Sequence, residues 1–236
     1  MVRWHLKNGL THSAVTFMTD AMKHLLVRLL VVLTLLIPVP GPAATAPFTL
    51  MVFGDSLSAN YGIEESQGWV TLLESRLLEL ALPIEVINGS VSGETTTGGL
   101  ARLPAMLDTY QPDLIILELG GNDGLRGLPV PLIRQNLADM TELAIAQGAR
   151  VVLAGMQIPP NYGPRYTEPF FAQYAELAKE KGLPLVPFLI DGIPQQPELM
   201  QDDGIHPKAE AQGMILENVW PMLEPLLLEM TGRTTR

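Results

Sequence analysis

The chain has 236 residues, a formal net charge of −10, four histidines and no cysteine. The missing cysteine excludes thiolate nucleophiles, disulfides, Cys-based zinc sites and a lipoprotein anchor. The acidic balance of 25 Asp+Glu against 15 Lys+Arg repels nucleic acid and anionic lipid, so neither is an expected partner.

Residues 1–46 read as an N-terminal extension and signal peptide, with Met22 an alternative start. Lys23, His24 and Arg28 form a basic segment, and Leu29–Ile37 is apolar apart from Thr34. Pro38, Pro40 and Pro42 then break any helix, and Ala44-Thr45-Ala46 is a small-x-small cleavage site. The apolar run is shorter than the roughly 18 residues a membrane span needs, which disfavours the alternative of a retained anchor. Export to the periplasm or medium is therefore expected. His5, His12 and His24 fall in the leader, so His206 is the only histidine of residues 47–236. One imidazole builds no multi-His metal site, and neither a metal nor a cofactor is expected. The segment 47–236 fits one domain, by a prior of roughly 150 residues per domain.

Along that domain, apolar runs alternate with amphipathic ones. Phe48–Phe53 reads as a buried strand ending at Gly54. Trp69, Leu72, Leu73, Leu77 and Leu80 recur at helical spacing. Ile84–Ile87 is a second strand, Thr97–Asp108 a helix, and Leu114–Leu119 a third strand stopped by Gly120-Gly121. Ile133, Leu137, Met140 and Ala144 mark a helix closed by Gly148, and Val151–Ala154 is strand four. Phe170–Lys181 is a helix, Leu185–Phe188 a fifth strand, and Pro207–Met230 a last helix interrupted at Pro221 and Pro225. Repeated strand–helix alternation with nearly continuous apolar strands predicts a parallel sheet covered on both faces. Ligands of such sheets bind beyond the carboxyl ends of the strands. Ser56, the Ser90–Thr95 loop and the Gly120–Asp123 loop all fall there, and the His206 loop follows the last strand.

Those segments carry the parts of a hydrolytic site. Ser56 lies in Gly54-Asp55-Ser56-Leu57-Ser58, and His206 in Asp203-Gly204-Ile205-His206-Pro207. A carboxylate three residues before an imidazole can fold back to accept from Nδ1–H, which leaves Nε2 facing a serine. Alone, each fragment is ordinary turn chemistry. Together they supply nucleophile, base and orienter, with Gly93 offering a bare N–H and Asn122 an amide for a developing oxyanion.

These four blocks resemble those of the SGNH (GDSL) hydrolases. Gly98–Pro104, Glu118–Gly127 and Met200–Pro207 are similar to the group within it that contains periplasmic acyl-CoA thioesterase I, lysophospholipase L1 and arylesterase. The resemblance spans 48–228. It implies a flavodoxin-like three-layer α/β/α sandwich with a five-stranded parallel sheet. It implies Ser56 as nucleophile, His206 as base, Asp203 as orienter, and an oxyanion hole from Ser56, Gly93 and Asn122. The implied activity is hydrolysis of carboxylic acyl esters, and of thioesters, through an acyl-Ser56 intermediate, by a monomer acting on small acyl-ester or lipid-derived substrates. The loop Gln157–Asn161 is shorter and richer in proline than the group's version, so acyl-length preference does not carry over. Leu57, Met156, Ile158, Tyr162 and Ile205 are the candidates for pocket lining. A carbohydrate O-deacetylase on the same scaffold is the alternative, disfavoured by an aromatic content of 6%. A non-catalytic flavodoxin-like binding module lacks any phosphate loop in this sequence.

Overall fold

The computed structural model describes residues 47–233. The leader assigned to 1–46 lies outside them. Five strands form one parallel sheet in the order β2-β1-β3-β4-β5. They are β1 (Phe48–Gly54), β2 (Ile84–Asn88), β3 (Leu114–Glu118), β4 (Arg150–Ala154) and β5 (Leu185–Val186). All of β3 is buried, as are Leu50–Gly54 of β1, because helices cover both faces. The expected three-layer α/β/α sandwich is the fold observed.

The layers follow from chain direction. The chain moves from β1 to β2 one way and from β2 through β3 and β4 to β5 the other way. Right-handed crossovers then send α1 (Trp69–Glu79) to one face and α2 (Thr96–Tyr110), α4 (Val130–Ala146) and α5 (Pro164–Lys181) to the opposite one. The terminal helix α6 (Gln212–Met230) packs with α1. Strand order reverses between β1 and β3, and the crevice opens beyond their carboxyl ends.

Strand β5 ends at Val186, short of the expected Phe188, and three further elements depart from expectation. The last helix runs unbroken through Pro221 and Pro225. Both prolines lie on its solvent side, where water can reach the carbonyls they leave unpaired. Ile215, Val219, Leu223 and Leu227 are fully buried on the other side and hold it straight onto the sheet. Helix α5 starts at Pro164, ahead of the expected Phe170, because Pro164 suits the first helical position, and Pro169 costs only one hydrogen bond farther in. The Gly120–Asp123 segment is no loop, since Gly121–Leu125 forms a short helix, α3. Its cap, Gly120, has φ 115°, and a Cβ there would collide with the Tyr174 hydroxyl. Only glycine fits that approach.

Candidate active site

Strand β1 stops at Gly54 and the chain turns at once. The Asp55 carbonyl accepts from Ala59 N–H at 2.9 Å, and its carboxylate Oδ1 accepts from Leu57 N–H at 3.1 Å. This turn lifts Ser56 to the mouth of the crevice. His206 arrives from a loop closed by an antiparallel bridge between Met200 and Pro207. Gln201 N–H donates to the His206 carbonyl at 2.8 Å, and Lys208 N–H to the Leu199 carbonyl at 2.7 Å. The Gln201 side chain ties this loop to the nucleophile segment by donating to the Tyr61 carbonyl at 2.8 Å.

The three expected residues meet in one line. His206 Nδ1 lies 2.6 Å from Asp203 Oδ2, and His206 Nε2 lies 2.8 Å from Ser56 Oγ. An ionised carboxylate can only accept, so Nδ1 carries the proton and the bare Nε2 accepts from the Ser56 hydroxyl. Asp203 Oδ1 also accepts from the N–H groups of Ile205 at 2.9 Å and His206 at 3.0 Å. Burial works to raise the Asp203 carboxyl, but the hydrogen bonds from the His206 ring and from these two N–H groups outweigh it. The net result lowers it to about 2. The orienting charge therefore persists throughout the range in which an imidazole titrates.

Tyr61 stacks on the imidazole with ring centroids 4.3 Å apart and planes inclined by 35°. An isolated tyrosine in a turn has no helical or strand periodicity to flag it. Tyr61 and Gln201 are thus the supports that reading the sequence missed.

The donors expected for an oxyanion converge on the same crevice. Among the described residues no group accepts from the Ser56 or Gly93 N–H, so both remain available. Gly93 has φ 80°, while the space around its missing Cβ is open. Glycine is needed there for backbone conformation, and the open space around it leaves its N–H accessible to a substrate. Asn122, second residue of α3, donates through Nδ2 to Asp55 Oδ2 at 3.0 Å. A carboxylate acceptor fixes that amide with its NH₂ toward Asp55, and the second Nδ2 hydrogen is free to face the crevice. Asp123 beside it is fully buried and accepts from Thr96 N–H at 2.9 Å and Thr96 Oγ at 2.6 Å. The start of α2, just after Gly93, is thereby braced against α3.

The crevice widens into a cavity of about 770 Å³ that Ser56, Gly93, Asn122 and His206 all line. Of the expected pocket residues, Leu57, Met156, Ile158 and Ile205 line it. Tyr162 does not. Its hydroxyl donates to the carbonyl of Leu125 at 2.7 Å, and it is Leu125 that lines the wall. Phe188 and Ile190, from the segment after β5, complete the apolar side. Among the described residues no cluster of His, Asp and Glu could hold a metal ion.

Comparison with known proteins identifies the family. The profile of the GDSL-like lipase/acylhydrolase family matches residues 52–213. Esterase TesA of Pseudomonas aeruginosa is 52% identical over 179 residues, covering 76% of this chain and 89% of the relative. A protein of Escherichia coli K12 named thioesterase 1/protease 1/lysophospholipase L1 is 43% identical over 184 residues, 78% of this chain and 87% of the relative. A crystal structure of TesA superposes with a TM-score of 0.74 at 52% identity, over 75% of this chain and 99% of that one. With its fold and its four sequence blocks matched together, this chain belongs to the GDSL-like lipase/acylhydrolase family, the SGNH hydrolases.

Proposed function

We propose that Ser56, His206 and Asp203 cleave acyl esters by a two-step transfer. The protein is a carboxylic ester hydrolase, and the observation that carries the mechanism is the unbroken hydrogen-bonded line Asp203–His206–Ser56 at the mouth of an apolar cavity. Ser56 Oγ attacks the ester carbonyl while His206 Nε2 takes its proton. The resulting oxyanion is held by the Ser56 and Gly93 N–H groups and the Asn122 amide. Collapse expels the alcohol, which takes the proton from His206, and leaves the acyl group on Ser56. Water then attacks the acyl-enzyme with His206 again as base, releasing the acid and free serine. A thioester follows the same steps with a thiol as leaving group, and we include it within the reach of the site. The walls formed by Leu57, Met156, Ile158, Phe188, Ile190 and Ile205 favour an acyl chain over acetyl alone. The basic-apolar-small pattern of the leader supports export, where acyl-CoA is scarce, so esters are the working substrates.

The reading is tested with p-nitrophenyl esters from acetyl to palmitoyl, run beside an acyl-CoA and a lysophospholipid. Medium or long acyl esters should have the highest kcat/KM. A rate confined to acetylated sugars would favour a deacetylase instead.

The pH profile follows from the site. Activity should fall toward acid, because attack by Ser56 needs an unprotonated base. Asp203, lowered to about 2, contributes nothing to that fall. Asp55 does contribute, since burial raises it to about 6, and its protonation weakens the anchor of Asn122. The decline of log kcat/KM is therefore expected to be steeper than the single ionisation that the lone histidine suggests. A rate that stays flat to roughly pH 4 would make the base a carboxylate.

A further inference from the structure

Beneath the nucleophile turn lies a second carboxyl that the mechanism above does not use. Glu118, the last residue of β3, is opposite Gly54 in the β1–β3 register and fully buried. A Cβ on Gly54 would collide with Glu118 Oε2, so the glycine admits the carboxyl under the strand end. Glu118 Oε2 accepts from Asp55 N–H at 3.2 Å and from the Ser58 hydroxyl at 2.6 Å. Ser58 Oγ in turn accepts from the indole Nε1 of Trp69 at 3.2 Å. The other oxygen, Oε1, is buried with no hydrogen-bond partner among the described residues. Asp55, which anchors Asn122, is 2% exposed and sits against the same carboxyl.

Resting on the assignment of Asn122 as an oxyanion donor, we propose that Glu118 is a positioning residue that works as a neutral acid. It holds the Asp55–Ser58 turn in place and, through Asp55, keeps the Asn122 amide aimed at the substrate oxygen. The charge state follows from the geometry. A carboxylate oxygen buried without a partner, beside another carboxylate, would have nothing to offset its desolvation. Two negative charges under the oxyanion hole would also oppose the charge that forms on the substrate. As an acid, Glu118 leaves the pair one charge, held on Asp55 where Asn122 can use it. Burial, and then the Asp55 charge, push Glu118 well above the ordinary carboxyl range. The other titratable groups facing the pair are His206 from the 200–207 loop and Tyr174 from α5. Among the described residues no lysine or arginine forms an ion pair with either carboxyl.

The test compares Glu118→Gln with Glu118→Met, using kcat and KM per phosphonate-titrated active site. Glu118→Gln keeps a neutral, hydrogen-bonding side chain. It should retain at least a third of kcat, with the acid limb of the pH profile unmoved. Removing an anion would instead shift that limb to lower pH. Glu118→Met removes the acceptor. It should lower kcat about 30- to 100-fold at nearly constant KM, and should add little to the loss in an Asn122→Ala background. Infrared difference spectra should show a protonated-carboxyl C=O band in the wild type that Glu118→Gln lacks. A Glu118→Gln enzyme as impaired as Glu118→Met, a shifted acid limb, or an absent band would overturn the neutral-acid assignment. A normal kcat in Glu118→Met would overturn the positioning role. Should Glu118→Met not fold, the pH profile of Glu118→Gln and the infrared band decide the matter. Failure of the oxyanion assignment reads out separately, as a normal kcat in Asn122→Ala alone.

Discussion

Replacing Ser56 by Ala is expected to abolish acyl transfer, lowering kcat on the order of 10⁴–10⁶-fold while the fold survives. Among the described residues the Ser56 side chain makes one hydrogen bond, to His206. His206→Ala should cost about as much, because the hydroxyl then has no base to take its proton. Residues that act as one unit are not additive, so the double variant should be little worse than either single one. The comparison is made on circular dichroism-matched protein with a chromogenic ester. A single variant that keeps more than a tenth of wild-type kcat would contradict the assignment.

Asn122→Ala carries the second large effect. Its amide is already held on one side by Asp55 at 3.0 Å, so no reorganisation is needed as charge grows on the substrate. The bond strengthens from carbonyl to oxyanion, and interactions of that kind act on kcat and not on KM. Loss of one such donor costs roughly 10²–10³-fold, about 2.7–4 kcal/mol. A residue that served only the turn into α3 would behave differently. The variant would lose stability, yet each folded molecule would turn over at the normal rate. Kinetics per titrated active site separates the two.

How far the sequence alone reaches can be judged element by element. The strands were legible because a doubly covered parallel sheet writes itself as continuous apolar runs, as in Leu114–Leu117. That Ser56, Asp203 and His206 would meet was legible only from the blocks taken together, since each fragment alone is ordinary turn chemistry and His206 is the one histidine of residues 47–236. Helix α3 was not, because Gly120, Gly121 and Gly124 argue locally against any helix. It forms through a long-range tie, Asp123 to Thr96. The continuity of α6 was hidden by Pro221 and Pro225, whose cost is offset by burial that only tertiary structure supplies. Glu118 was visible within a motif but not as a buried acid. That depends on the strand register that sets it opposite Gly54. Tyr162 was placed in the pocket on its apolar ring, whereas its hydroxyl donates to the Leu125 carbonyl and it is Leu125 that lines the wall.

The central claim is that Ser56 is the residue that becomes acylated, and mapping the adduct of an aryl phosphonate tests it most directly. The wild-type enzyme should take up one phosphonate per chain, located on Ser56 by peptide mass spectrometry. Labelling should vanish in Ser56→Ala and be strongly slowed in His206→Ala. An adduct on Ser58, Ser90 or Ser92, or stoichiometric labelling that persists in Ser56→Ala, would contradict the account.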